Sequence, residues 1–266
     1  MRTVFFISDR TGMTAEALGN SLLTQFNDIE FKRVNIAFID TPSKAKHAAN
    51  QVKEASEADG QPALIFSTQI SKEYRQLLIS SGGIFFDFFE TFISKLEETL
   101  GTKSSQTVGL FHSMTDENNY GNRIDSINYA LSCDDGLNIK NYDRADIILT
   151  GVSRSGKTPT CLFLALQYGI FAANYPLIEE DLETIKLPTI LQKNKNKLFG
   201  LSINPVRLQN IRDERRSNSG YASIDQCRKE IKLAEDMFVQ NQVPFLDTSH
   251  TSIEEIAGRI LNKSAI

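Results

Sequence analysis

Apolar and polar positions alternate between two rhythms along this chain. Short runs of β-branched and aromatic residues, "TVFFIS", "RVNIAFID" and "PALIFST", have the length and composition of buried strands. Between them lie stretches with helical spacing. "TAEALGNSLLTQF" places Ala15, Leu18, Leu22 and Phe26 on one predicted face. "TPSKAKHAANQVKEA" carries Pro42 near its first turn, and "SKEYRQLLISS" is stopped by Gly82-Gly83. "IFFDFFETFISKLEETLG" is ambiguous at its start and helical by its end.

The same rhythm resumes further on. "RIDSINYALSCDDG" predicts a helix ending at Gly136, followed by the strand "RADIILTG". "TCLFLALQYG", "PVRLQNIRDERRS", "SIDQCRKEIKLAEDMFVQNQ" and "SIEEIAGRIL" predict helices; "IFAANYPLI", "KLFGLSI" and "VPFLDTS" predict strands. In the third helix Cys227, Ile231, Ala234 and Phe238 share a face, and Ser252 with Glu255 suggests a capping box on the last. Repeated strand–helix units predict parallel sheets covered by helices. The polar, glycine-bounded stretch "GTKSSQTVG", 101–109, is the best linker candidate. The expectation is two α/β domains with parallel sheets, 1–105 and 106–266, the second a P-loop kinase-like, nucleotide-binding domain. No internal repeat is legible, and the halves look alike only in being α/β.

Composition narrows the function classes. The 266 residues carry a net charge of −4, against a general nucleic-acid binder. No apolar stretch nears the roughly 20 residues that span a bilayer, and "MRTVFFISD" lacks a signal peptide's apolar core. A cytoplasmic protein is expected, with neither nucleic acid nor membrane as partner. Cys133, Cys161 and Cys227 are widely spaced and suggest buried thiols rather than a disulfide framework or zinc site.

The chemistry concentrates in one loop. Gly151-Val152-Ser153-Arg154-Ser155-Gly156-Lys157-Thr158 fits GxxxxGK[ST], between a predicted strand and a predicted helix. In such a loop successive N–H groups form an anion nest at the positive end of a helix. Gly151 and Gly156 allow close approach and positive φ, Lys157 reaches terminal phosphates, and the Thr158 hydroxyl ligates Mg²⁺. Pro159 suits the first helical turn, where its missing N–H has no partner.

Other polar residues are less decisive. Asp247 is a second metal-ligand candidate or a strand-end cap. Asp134 and Asp135 offer a general base or a metal-adjacent acid, or a solvated turn; Asp135 is the chosen catalytic candidate because Gly136 permits a closer turn. The crest Ser8, Asp9, Arg10, Thr11, Thr14 lies at a predicted sheet edge, with Thr14 read as a helix N-cap and Glu16 in the first turn. His47, His112 and His250 form no recognisable constellation. The run Arg212–Arg216 reads first as a solvated helix face, with a phosphorylated partner as the alternative.

Over almost its full length the chain resembles the bacterial regulatory proteins of phosphoenolpyruvate synthase and of pyruvate, phosphate dikinase. The matching stretches are "FFISDRTGMTAEALG", "YDRADIILTGVSRSGKTPTCLFLALQYGIFAANYPLI", "KLFGLSINPVRLQNIRDERR" and "VPFL…SIEEIA". The resemblance implies a bifunctional serine/threonine kinase and phosphorylase. Such an enzyme inactivates its target by phosphorylating a threonine with ADP, and removes that phosphate with inorganic phosphate, releasing pyrophosphate. It implies ADP, phosphate and Mg²⁺ as ligands. Gly156 and "NSGYASIDQCRKEI" resemble the synthase branch, so phosphoenolpyruvate synthase is the expected partner and the dikinase the alternative. Cys133 departs from both branches, which carry His or Tyr there, so no proton-transfer role is carried over to it. A small-molecule kinase and a non-catalytic nucleotide sensor are the competing readings. Nothing in the sequence sets the oligomeric state; a homodimer is one open alternative.

Overall fold

In this computed structural model, residues 1–105, 117–184, 186–215 and 220–263 are described, with backbone alone at 117–120, 215 and 220. His112, Arg216, the 106–109 half of the linker candidate and Asn218-Ser219 of the branch signature lie outside them. By contacts the chain divides into two compact units, Met1–Ser113 and Met114–Ile266.

The first unit is β1 (Arg2–Ile7), α1 (Met13–Leu23), β2 (Phe31–Ile36), α2 (Pro42–Asp59), β3 (Leu64–Ser67), α3 (Lys72–Ile79), β4 (Ile84–Asp87) and α4 (Phe88–Leu100). Its sheet is parallel, in the order β2-β1-β3-β4. Successive side chains of β1 point to opposite faces. Phe5 and Ile7 pack with Ala45, Val52, Ile65 and Leu78 on the side of α2 and α3. Val4 and Phe6 pack with Ala15, Leu23 and Phe66 on the side of α1.

Two local expectations are corrected here. The buried face of α1 is Ala15, Gly19 and Leu23, while Leu18, Leu22 and Phe26 are exposed. Both stripes have helical spacing, and contact with the sheet selects between them. A Cβ on Gly19 would lie 2.5 Å from the Phe6 ring, so the helix rests on the sheet at its smallest residue. The N-cap of α1 is Gly12 in the left-handed region, φ 79°, and Thr14 lies inside the helix. The ambiguous "IFFDFF" resolves into a short strand that turns directly into α4, with Asp87 accepting from Phe89 N and Glu90 N.

The second unit is α5 (Glu117–Ser132), β5 (Ile147–Gly151), α6 (Lys157–Tyr168), β6 (Ala172–Pro176), α7 (Glu179–Glu183), α8 (Thr189–Lys193), β7 (Leu198–Ser202), α9 (Pro205–Arg215), α10 (Ile224–Gln240), β8 (Phe245–Asp247) and α11 (Ile253–Lys263). Its sheet is again parallel, ordered β6-β5-β7-β8. The short helices α7 and α8 have too few turns to leave a periodic signal in the sequence. The helix expected to end at Gly136 ends at Ser132, and Asp134–Gly136 form a 3₁₀ turn with Asp135 at φ 51°. In α11 only half of the expected capping box forms. Ser252 Oγ accepts from Glu255 N at 3.2 Å, while the Glu255 carboxylate pairs with Arg259.

The two units share more than α/β character, contrary to the sequence reading. Both sheets place the first strand between the second and third, with the fourth at the edge. In each, the first strand enters a loop that reaches the next helix through a left-handed glycine, Gly12 or Gly156. Arg10-Thr11-Gly12-Met13-Thr14 stands where Arg154-Ser155-Gly156-Lys157-Thr158 stands. The similarity is of topology and a five-residue pattern, too sparse to register as a repeat.

Candidate active site

The predicted loop lies between β5 and α6, beyond the carboxyl edge of the second sheet, where ligand sites of parallel α/β folds form. Every residue of β5 is buried, so the strand is held on both faces and aims the loop from a rigid base. Gly151 leaves the strand at φ 152°, with the Leu201 carbonyl of β7 against it. A Cβ there would come within 2.2 Å of that carbonyl oxygen. Arg154 and Gly156 both adopt positive φ, 75° and 93°, which curls the chain back into the start of α6.

Lys157 is buried, and its Nζ donates to Val152 O across the loop at 2.9 Å. Burial lowers its pKa to about 8, against the opposing pull of Asp135, Cys161 and Asp134. The Ser155 hydroxyl is buried with no partner among the described residues. An orphaned donor inside a curled loop, a buried ammonium and a glycine with no room for a side chain together fit a bound phosphate group.

The structure brings Asp134 and Thr158 together although 24 positions separate them. Thr158 Oγ1 donates to Asp134 Oδ1 at 2.9 Å. Asn174, from the middle of β6, organises the pair. Its side-chain N–H₂ donates to Asp134 Oδ1 and to Thr158 Oγ1, the latter at 3.3 Å, and its Oδ1 accepts from Asp135 N at 3.1 Å. Its own backbone is tied to Cys133 O and to the Tyr142 hydroxyl. Asp135 N–H is therefore fixed while its carboxylate remains exposed, beside a cavity of about 670 Å³ that it lines together with Ser153, Arg212, Tyr221 and Glu230. Two adjacent carboxylates thus face different surroundings. Asp134 sits on the Thr158 hydroxyl, and Asp135 faces the open cavity.

Arg212 corrects the reading of its run as a solvated face. It is about 1% exposed and among the largest fully buried side chains described. Its guanidinium bonds Glu230 at 2.7 Å and Tyr221 O at 2.9 Å, reaches Ser153 O of the loop at 3.4 Å, and lies 3.9 Å from the Tyr221 ring centroid. α9, α10 and the loop are therefore tied through one residue, and its Nε has no partner among the described residues. Neither Asn174 nor Arg212 was singled out from the sequence as a site residue. For Asn174 a signal existed, an amide in an otherwise apolar strand; Arg212 entered the sequence reading only as the first residue of a charged run.

Other candidates stay apart from this cluster. Asp247 accepts from the Ser249 N–H and hydroxyl, so it takes the strand-end role; from β8 it is Thr248 that reaches the loop, Oγ1 lying 3.1 Å from Ser155 O. In the first unit, Ser8 and Asp9 bond Thr68 and Ile70 N of the next loop, and burial raises the Asp9 pKa. His47 and His250 are exposed. The three cysteines are buried and unpaired, as expected. Among the described residues no group of three or more His, Cys, Asp or Glu gathers as a metal site, and no helix is long and apolar enough to cross a membrane.

A parallel α/β unit with such a loop, an adjacent hydroxyl–carboxylate pair and a second free carboxylate has the parts of a phosphotransferase. The chain belongs to the kinase/pyrophosphorylase family, which matches it over residues 4–261. Relatives from Alkalilimnicola ehrlichii, Marinobacter nauticus and Pseudomonas putida are 51%, 50% and 48% identical to it. The matches cover 100%, 98% and 100% of this chain and 96%, 96% and 97% of the relatives. All three are provisionally named phosphoenolpyruvate synthase regulatory protein.

Proposed function

We propose that this protein regulates phosphoenolpyruvate synthase in the cytoplasm by moving one phosphoryl group in two directions. In one, a threonine hydroxyl of the synthase attacks the β-phosphorus of ADP. A new O–P bond forms, the bond to the bridging oxygen breaks, AMP leaves, and Asp135 accepts the hydroxyl proton. In the other, inorganic phosphate attacks the phosphothreonine, releasing pyrophosphate and the free threonine. The relatives' name supports the choice of partner. The observation that carries the chemistry is the pairing of Asp134 with Thr158 beside a loop whose Ser155 hydroxyl is buried and unpartnered, with Asp135 free at the cavity next to it.

Each residue has a physical task. The loop amides, Ser155 and Lys157 hold phosphate oxygens and offset the charge that builds up during transfer. Mg²⁺, when bound, would be held by Thr158 and Asp134 and would neutralise phosphate charge. Magnesium commonly takes one or two carboxylates and fills its remaining positions with water and phosphate, so the two-residue set suits it. Asp135 orients and deprotonates the attacking hydroxyl, a weak nucleophile without a base. The cavity beside it is open, as a site must be that admits a side chain of another protein.

The test uses purified synthase with ADP labelled on its β-phosphate. Label on a synthase threonine with an equal release of AMP, and its removal as pyrophosphate on adding phosphate, is the expected result. Nucleotide binding without transfer would replace the proposal with a sensor, and transfer to the dikinase alone would replace the partner.

A further inference from the structure

The cavity beside Asp135 has a charge pattern that phosphoryl transfer alone does not require. Three carboxylates line it, Asp135, Glu179 and Glu230, against one cation among the described residues, Arg212. Glu230 is already engaged: the Arg212 guanidinium donates to it at 2.7 Å and the Gln226 amide at 3.0 Å. Among the described residues, no hydrogen bond or ion pair holds the carboxylate of Asp135 or of Glu179. Glu179 opens α7 directly after the segment Pro176-Leu177-Ile178. Leu177 N donates to Gly151 O at 3.0 Å, so that segment is anchored on the phosphate loop itself. Ile178, 52% exposed, and Tyr221, 39% exposed, give the same cavity an apolar wall.

Two uncompensated carboxylates oppose the reaction in both directions. A phosphothreonine carries about −1.5 to −2 charges, and it must form, and later be attacked, beside them. Asp135 loses its charge while it holds the hydroxyl proton. Glu179 has no such task, and its charge only repels the product. A cation carried by the acceptor segment reverses that sign in either direction. The cavity, about 670 Å³, is roughly 9 Å across, the span of two to three residues of extended chain. Arg212 Nε, buried and without a partner among the described residues, offers a donor to a backbone carbonyl of such a segment.

We propose that Glu179 selects the acceptor by pairing with an arginine or lysine side chain close in sequence to the target threonine. Ile178 and Tyr221 pack against the same segment. The proposal rests on the transfer reading above and adds the chemistry of the stretch that enters the cavity. Glu179 touches neither donor nor reacting atoms, so its effect belongs in the binding of the synthase and not in the chemical step.

The test compares Glu179 variants on the synthase and maps the labelled threonine by peptide sequencing. An arginine or lysine should lie within about three positions of that threonine, the reach set by the cavity's width. Glu179→Gln should raise the KM for the synthase about tenfold and Glu179→Lys at least about 100-fold, with kcat and ADP affinity little changed. Glu180→Gln takes the same charge from the same turn outside the cavity, and should shift that KM by less than about twofold. Replacing the mapped cation of the synthase by glutamate should cost the wild-type protein kcat/KM, and Glu179→Lys should recover at least about tenfold of it. If the altered synthase misfolds, the mapping and the Glu179 and Glu180 series decide. A labelled threonine with no basic neighbour, a normal KM in Glu179→Lys, or equal effects of Glu179→Gln and Glu180→Gln overturns the proposal. No transfer by the wild-type protein would instead overturn the transfer reading, and this proposal with it.

Discussion

Asp135→Asn separates chemistry from binding because of where the structure puts the two neighbouring carboxylates. Asp135 has a left-handed backbone, φ 51°, which asparagine tolerates better than other non-glycine substitutes, and the bond from its N–H to Asn174 does not depend on its side chain. The substitution therefore removes the proposed proton acceptor and leaves the turn in place. General-base catalysis contributes about 100- to 10,000-fold, so single-turnover transfer from ADP to the synthase should slow by that factor. Nucleotide affinity should change by less than about threefold, since Asp135 makes no bond to the loop; its charge acts on Lys157 only through space. Asp134→Asn should behave in the opposite way. It weakens a charge-assisted bond to Thr158, about 1.5–3 kcal/mol, and should lower Mg²⁺-supported ADP affinity roughly 10- to 100-fold. The assay pairs rapid-quench transfer, enzyme in excess, with calorimetric ADP titration in the presence and absence of Mg²⁺. Normal transfer by Asp135→Asn, or equal losses of affinity in both variants, would refute the division of roles.

Outcomes at three further residues follow from the same geometry. Lys157, with its pKa lowered to about 8, is charged below that pH and neutral above it, so ADP affinity should be flat at neutral pH and fall up to tenfold per unit above pH 8, as seen by titration at constant ionic strength. Its contribution to folding runs the other way: the unfolded chain binds the extra proton between about pH 8 and its ordinary 10.5, so stability from this group rises across that window, and denaturation separates the two trends. Gly151→Ala drives a methyl onto the Leu201 carbonyl of β7 at a φ that disfavours side chains, and should cost about 2–5 kcal/mol in urea denaturation; a neutral effect would mean the loop leaves the strand by another path. Arg212→Met breaks a buried ion pair and should destabilise the second unit by about 3–5 kcal/mol while weakening ADP binding through Ser153, and Arg212→Lys should rescue little, because one ammonium cannot serve Glu230, Tyr221 O and Ser153 O together.

The sequence by itself determined whatever depends on near neighbours. Strand and helix periods located every strand of the two sheets except β4, whose "IFFD" runs straight into a helix. The glycines, lysine and threonine of 151–158 announced the tight loop between β5 and α6, the proposed phosphate site, because its geometry is made by eight consecutive residues and the helix they open. That local economy ended where the fold had to choose between equivalent local solutions. Ala15-Leu18-Leu22 and Ala15-Gly19-Leu23 are both helical stripes; only the aromatic rings of the sheet beneath decided that glycine faces inward. Asp134, Thr158 and Asn174 are ordinary polar residues in three different elements. They meet because β6 pairs with β5 in parallel register, Leu149 opposite Asn174, and the chain before β5 folds back over that strand's end. Arg212 lies in a stretch of α9 that reads as solvated, and is buried because α10, Tyr221 and the loop at Ser153 close over it. Partners distant in sequence leave no periodic trace, since their proximity is a property of sheet order and helix packing, and those are settled by the tertiary structure alone.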